Sequence, residues 1–132
     1  MKTFFIETSH KDEINDITDT IEEILQQNTI KNGACLIFVK HTTCCITTAD
    51  LDPGTDIDFL EFLRKIIPEM RFRHPHDPSH APDHILSSII GTSLTVPIVN
   101  GQLDLGVWQR VVLVELDGPR KRELSCMFIP EQ

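Results

Sequence analysis

Residues 73–84 read RHPHDPSHAPDH, and four of the chain's six histidines fall in those twelve positions, with three prolines and two aspartates. Imidazole titrates near neutral pH and ligates late first-row divalent ions, so such a cluster points to acid–base work or metal binding. The prolines stiffen the segment and lower the entropy lost when its side chains are fixed around a ligand. Spacing alone is a weak signal: His80 and His84 stand four apart, but Pro82 lies between them, unlike the helical pair of an H-E-x-x-H motif. Solvated loop histidines are the plain alternative. His41 differs, because it sits within ACLIFVKHTTCCITT, where an unpaired imidazole would be costly to bury. Three histidines drawn from a strand and a loop could hold a divalent ion with a fourth position open to water.

The elements that must position these groups fit in one domain spanning residues 1–132, long enough for a single hydrophobic core. A net charge of −8 with no basic stripe disfavours nucleic acid, so an anionic ligand must be met by a local cluster of donors. The start, MKTFFIETSH, has the form of neither a secretion signal nor a membrane span, which leaves a soluble cytoplasmic protein as the expectation. Cys35, Cys44, Cys45 and Cys126 lie in apolar runs rather than C-x-x-C pairs and read as buried thiols.

KTFFIET reads as a strand, and INDITDTIEEILQQ as an amphipathic helix whose N-cap is open between Asp12 and Asp16. ACLIFVKHTTCCITT reads as buried β-structure, one strand or two interrupted near His41. A helix capped by Thr55 or Asp56 runs to Pro68, and another grows from Pro82 and closes at Gly91. SLTVPIV, an Asn100-Gly101 hairpin signal, QLDLGVWQRVVLVEL broken at Gly106, a DGPRKR turn and ELSCMFI complete the chain as strands. The expected class is α+β: a mostly antiparallel, sandwich-like sheet core with about three helices packed on it.

HTTCCITTADLDP, FRH, HILSSIIGTSL, NGQLDLGVWQ and DGPRKR, in that order, resemble the YjbQ family, described as secondary thiamine-phosphate synthases. The resemblance implies a homotrimer with shared polar residues in a cleft near a subunit boundary. It also implies that His41, His74 and His84 are metal ligands, for zinc or, with a diphosphate substrate, magnesium. His76 and His80 have no clear counterpart and are read as surface or supporting groups. Two departures stand out: Asp50 occupies the segment where the family commonly has Glu, and the loop from His74 to His84 is about one residue short.

The implied reaction joins hydroxymethylpyrimidine diphosphate to a thiazole phosphate with release of pyrophosphate. Arg120 and Arg122, with Lys121 between them, would then meet phosphate oxygens, and Thr42, Thr43, Ser87 and Ser88 would add hydroxyl donors. Asp50 is the expected base or partner of a metal-bound water, and Asp117 would orient an arginine. Trp108 and Gln109 face opposite ways on a strand, so Trp108 is expected in the core and Gln109 on the wall of the cleft. Two other functions fit the same residues: a metal-dependent hydrolase of a small phosphorylated or amide substrate, and a non-catalytic trimeric module binding a metabolite or a metal.

Overall fold

A computed structural model describes residues 1–132. Eight strands form two sheets in which every pairing is antiparallel. The larger is ordered β1 (Lys2–Glu7), β8 (Lys121–Pro130), β3 (Gly33–Val39), β5 (Ser93–Val99) and β6 (Gln102–Leu103). The smaller is ordered β2 (Glu13–Asp16), β7 (Arg110–Glu115) and β4 (Cys44–Ala49). Three helices accompany them: α1 (Thr18–Gln26), α2 (Thr55–Lys65) and α3 (Ala81–Ile90). The α+β class expected from the strand-rich second half is the one observed.

The VVLV run of β7 explains the layering. Period-two alternation sends successive side chains to opposite faces, and here both faces are buried. Val111 and Leu113 join Cys35, Ile37, Leu124 and Cys126 of the larger sheet, closed at one side by Ile17, Ile21, Ile24 and Leu25 of the α1 region. Val112 and Val114 face the other way, onto Leu63 of α2 and Leu86 of α3. The order is therefore helices, small sheet, large sheet. The far face of the large sheet is left uncovered, with Phe5, Phe38, Met127, Ile129 and Val99 exposed on it.

Two elements differ from the sequence reading. Helical spacing of Ile14 with Ile17 and Ile21 placed residue 14 on the first helix, but Glu13–Asp16 is a strand, with Ile14 opposite Val114. The ladder offered by β7 outweighs local periodicity here, and the helix starts at Thr18, whose N–H donates to Asp16 Oδ1 (3.0 Å). Trp108 is 69% exposed rather than in the core, because the strand begins only at Arg110 and the preceding residues form a turn. The Asn100-Gly101 hairpin forms as read, with φ of 52° and 78° at the two positions.

Candidate functional site

The apolar run around His41 breaks into β3 and β4, which belong to different sheets, so Lys40–Thr43 crosses the gap between the layers. The β7–β8 turn returns beside it, and a 3-10 turn at Pro78–His80 leads into α3 opposite. Together these segments line a cleft of about 750 Å³. From the β3–β4 link come Lys40, His41, Thr42 and Thr43, from the turn Asp117 and Pro119 to Arg122, and from the helix side His80 and His84. Apart from Pro119 its lining is polar or charged, and Asp117 is its one carboxylate.

The floor is a buried ion pair. Arg122 is 1% exposed and its guanidinium grips both carboxylate oxygens of Glu115, through Nε to Oε1 (2.8 Å) and Nη2 to Oε2. Arg122 Nη2 also donates to Thr43 Oγ1 (2.9 Å), and Thr8 Oγ1 donates to Glu115 Oε1 (2.7 Å). Burial alone would raise the Glu115 pKa, but the bonds from Arg122, Thr8 and the Asp117 N–H outweigh it and hold the carboxyl below its ordinary value. The turn above is tightly packed: a Cβ on Gly118 would stand 2.2 Å from the His10 carbonyl oxygen.

Geometry settles the state of His41. The Glu123 N–H donates to its Nε2 (2.8 Å), so that nitrogen is unprotonated and the neutral ring carries its proton on Nδ1. Burial, and then the Arg122 charge, push the His41 pKa below its usual value and keep the ring neutral. A neutral imidazole with its acceptor nitrogen occupied acts as a hydrogen-bond donor rather than as a base.

The three histidines read as ligands are brought into one neighbourhood but not onto one point. His74 stacks on His84 with ring centroids 4.9 Å apart and planes 13° apart, yet only His41 and His84 line the cleft. The Asp77 N–H donates to His74 Nδ1 (3.2 Å), so both His41 and His74 spend their lone pair on a backbone N–H. No group of three or more His, Cys, Asp or Glu side chains is arranged to hold a metal ion. As placed in this chain, the donors do not fit the tetrahedral centre that the resemblance implies.

Asp50 and Gln109 lie elsewhere. Their strands are paired from Cys44 opposite Glu115, at the cleft, to Ala49 opposite Arg110. Five residues of strand at about 3.3 Å each put the two ends roughly 17 Å apart. At the far end Asp50 lines a recess of about 240 Å³ with Trp108 and Arg110. Gln109 there accepts from the Gly106 N–H (2.7 Å) and contacts Thr48 Oγ1 (3.4 Å).

Ser87 and Ser88 line a second recess of about 500 Å³ on the other side of His41. Lys40, His80 and Glu115 were not picked out from sequence as site residues. Glu115, a lone acid inside VVLVEL, was the available signal for the buried pair.

The sequence profile of the UPF0047 protein YjbQ-like family matches residues 2–131. The chain belongs to the YjbQ family. A family protein of Bacillus subtilis, YugU, is 38% identical over 123 residues, spanning 92% of this chain and 93% of that one. A UPF0047 protein of Archaeoglobus fulgidus is 34% identical over 120 residues, with 90% and 93% covered. Among solved structures, a YbjQ-like protein of unknown function from Sulfolobus solfataricus superposes with a TM-score of 0.91 at 33% identity, covering 98% of this chain and 96% of that one. A second YjbQ structure, from Clostridium acetobutylicum, gives 0.89 at 32% identity, with 98% and 100% covered.

Proposed function

We propose that the cleft binds a small phosphorylated substrate and stabilises a departing diphosphate, in the transferase reaction that forms thiamine phosphate from hydroxymethylpyrimidine diphosphate and a thiazole phosphate. The observation that carries this reading is the gathering of Lys40, Arg120, Lys121 and Arg122 with His41 around one polar cleft of a chain whose net charge is −8.

The cations divide their roles by burial. Arg122 is committed to Glu115 and shapes the floor, whereas Arg120 is exposed, held in place by Asp117 (Nη2 to Oδ2, 3.1 Å), with the rest of its fork available to an anion. Lys40, paired with Glu123 (2.9 Å), and Lys121, over the Phe5 ring (4.6 Å), add positive charge at the cleft.

In the reaction, the C–O bond to the diphosphate breaks with its electron pair leaving on oxygen, and a C–N bond forms to the thiazole nitrogen. That nitrogen carries no hydrogen, so no base is required, which agrees with Asp50 lying at the far end of the sheet. Negative charge develops on the leaving oxygen, where a neutral Nδ1–H donor at His41 and the Arg120 fork are most useful.

The exposed apolar residues of the large sheet support trimeric assembly through that face. Phe5, Phe38, Met127 and Ile129 share one side by register, with Phe38 opposite Ser125 and Ile129 opposite Ala34.

The test is formation of thiamine phosphate from the two substrates. The wild-type protein makes it, His41→Ala lowers kcat by about 10²–10³ as for loss of one positioned donor, and Arg120→Ala both lowers kcat and raises KM, since its fork meets the diphosphate before and during departure. Folded wild-type protein that makes no product rejects the transferase reading.

A further inference from the structure

His80 lines the cleft with a carboxylate facing each of its ring nitrogens. Nε2 faces Asp77 Oδ2 (3.4 Å) and Nδ1 faces Asp117 Oδ2 (4.0 Å). The two acids come from opposite sides. Asp77 caps the Pro78–His80 turn, whereas Asp117 belongs to the β7–β8 turn across the cleft. Unlike His41 and His74, whose lone pairs are spent on backbone N–H groups, His80 accepts from none, so its nitrogens are free to take up and release a proton.

Asp77 is a fixed support for the ring. Its Oδ1 accepts from the Ser79 N–H (3.0 Å) and the Ser79 hydroxyl (2.5 Å), which leaves Oδ2 for the imidazole. Those bonds, the hydroxyl's first, hold the carboxyl below its ordinary value, so it stays an ionised acceptor. With Nε2 turned to Asp77, Nδ1 is the nitrogen offered to the cleft. It is directed at the same Asp117 oxygen that Arg120 Nη2 bonds (3.1 Å), but 4.0 Å is too long for a hydrogen bond. An anion oxygen held on the Arg120 fork therefore comes within reach of an uncommitted Nδ1. The other charged or titratable groups on the cleft are Lys40 and His41 from the β3–β4 link, Lys121 and Arg122 from the turn, and His84 from α3. Of these, His41 is held neutral, Arg122 is bound to Glu115, and His84 stacks on His74 rather than on a carboxylate.

We propose that His80 is the general acid of the cleft, giving its Nδ1 proton to the departing diphosphate while Asp77 holds the imidazole from behind. The assignment rests on the transferase reading of the cleft. As the C–O bond breaks with its electron pair on the leaving oxygen, the Nδ1–H bond breaks with its pair on nitrogen, and an O–H bond forms on the diphosphate. The neutral ring regains its proton from water, since its side chain is 39% exposed. The two histidines then differ in kind: His41 donates a hydrogen bond and keeps its proton, and His80 transfers one.

The test is kcat for thiamine phosphate formation as a function of pH. In wild type kcat should be level on the acid side and fall about tenfold per pH unit above one alkaline inflection, where the ring has lost its proton. His80→Gln should lower the acid plateau by about 10²–10⁴-fold and remove the inflection, so that the two curves converge as pH rises. Asp77→Asn keeps an acceptor for Ser79 but removes the charge behind the ring, and should lower kcat more than it changes KM. Free imidazole in the buffer should restore part of the rate to His80→Ala. A structural His80 would give a lower thermal midpoint, a loss of rate that is the same at every pH and no rescue by imidazole, and that pattern overturns the proposal. A wild-type rate in His80→Gln rejects the acid alone and leaves the transferase reading standing. Folded wild-type protein that makes no thiamine phosphate at any pH rejects both.

Discussion

His41 shows how one backbone contact sets the chemistry of a side chain. Because the Glu123 N–H occupies Nε2, the ring is fixed as the Nδ1–H form, and burial with the Arg122 charge keeps it neutral. Long-range ¹⁵N–¹H correlation spectra should show that tautomer at pH 7 and still show it below pH 6.5. A protonated His41 at neutral pH would contradict the assignment. The linkage has a definite sign: the folded ring takes its proton at a lower pH than the unfolded one. The associated stability is therefore complete above pH 6.5 and declines as pH falls from 6.5 towards the folded value. Glu115, also depressed, contributes above its ordinary 4.5 and is lost as pH falls through its folded pKa. Removing Arg122 strands the Glu115 carboxylate at 0% exposure. Arg122→Met should cost roughly 3–5 kcal/mol, read as a fall in Tm on the order of 10–20 °C. Sequence placed Arg122 among phosphate donors because a basic triplet in a turn looks exposed. Which of three neighbouring cations turns inward depends on strand parity at the start of β8, and the triplet does not disclose that.

At the scale of elements, the site depends on where β3 hands the chain to β4 and where β7 turns into β8. The first junction was legible, since His41 interrupts a run of apolar residues and each half is long enough for a strand. The second was legible as a turn through its Gly-Pro pair, but not its closeness to the loop after β1. Gly118 approaches the His10 carbonyl so closely that any Cβ would collide with backbone. Gly118→Ala should therefore displace the turn, weaken anion binding through Arg120 and lower Tm, whereas Gly54→Ala, with open space around it, costs only the strain of its positive φ. α2 and α3 are tied to the same region by Arg64, which bonds Asp12, Asp83 (2.7 Å) and the Leu116 carbonyl (3.0 Å). Asp50 and Trp108 were misjudged for one reason: proximity in sequence to HTT and to a strand gave no measure of which end of β4 and β7 they would occupy. Antiparallel pairing carries both to the end away from the histidines.

For the whole molecule, the layer order follows from which strands are apolar on both faces. β7 is, and it takes the middle; the large sheet is not, and its outer face carries Phe38, Met127 and Ile129 unpaired. Light scattering after size exclusion should give the mass of three chains, and Phe38→Glu combined with Met127→Glu should give the mass of one with the fold retained by circular dichroism. A monomeric wild type would remove that assembly from the account. No helix is long and apolar enough to cross a membrane. The α+β class was readable because strand signals crowd the second half of the chain, whereas the meeting of two distant turns at one cleft needs the sheet order, which no local pattern encodes. The most direct test of the central claim is amide chemical-shift mapping during titration with inorganic pyrophosphate. Perturbations confined to Lys40–Thr43, the 117–122 turn and the start of α3, and weakened by Arg120→Ala, are the predicted result; no perturbation there, or the main shifts at Asp50, Trp108 and Gln109, would contradict it.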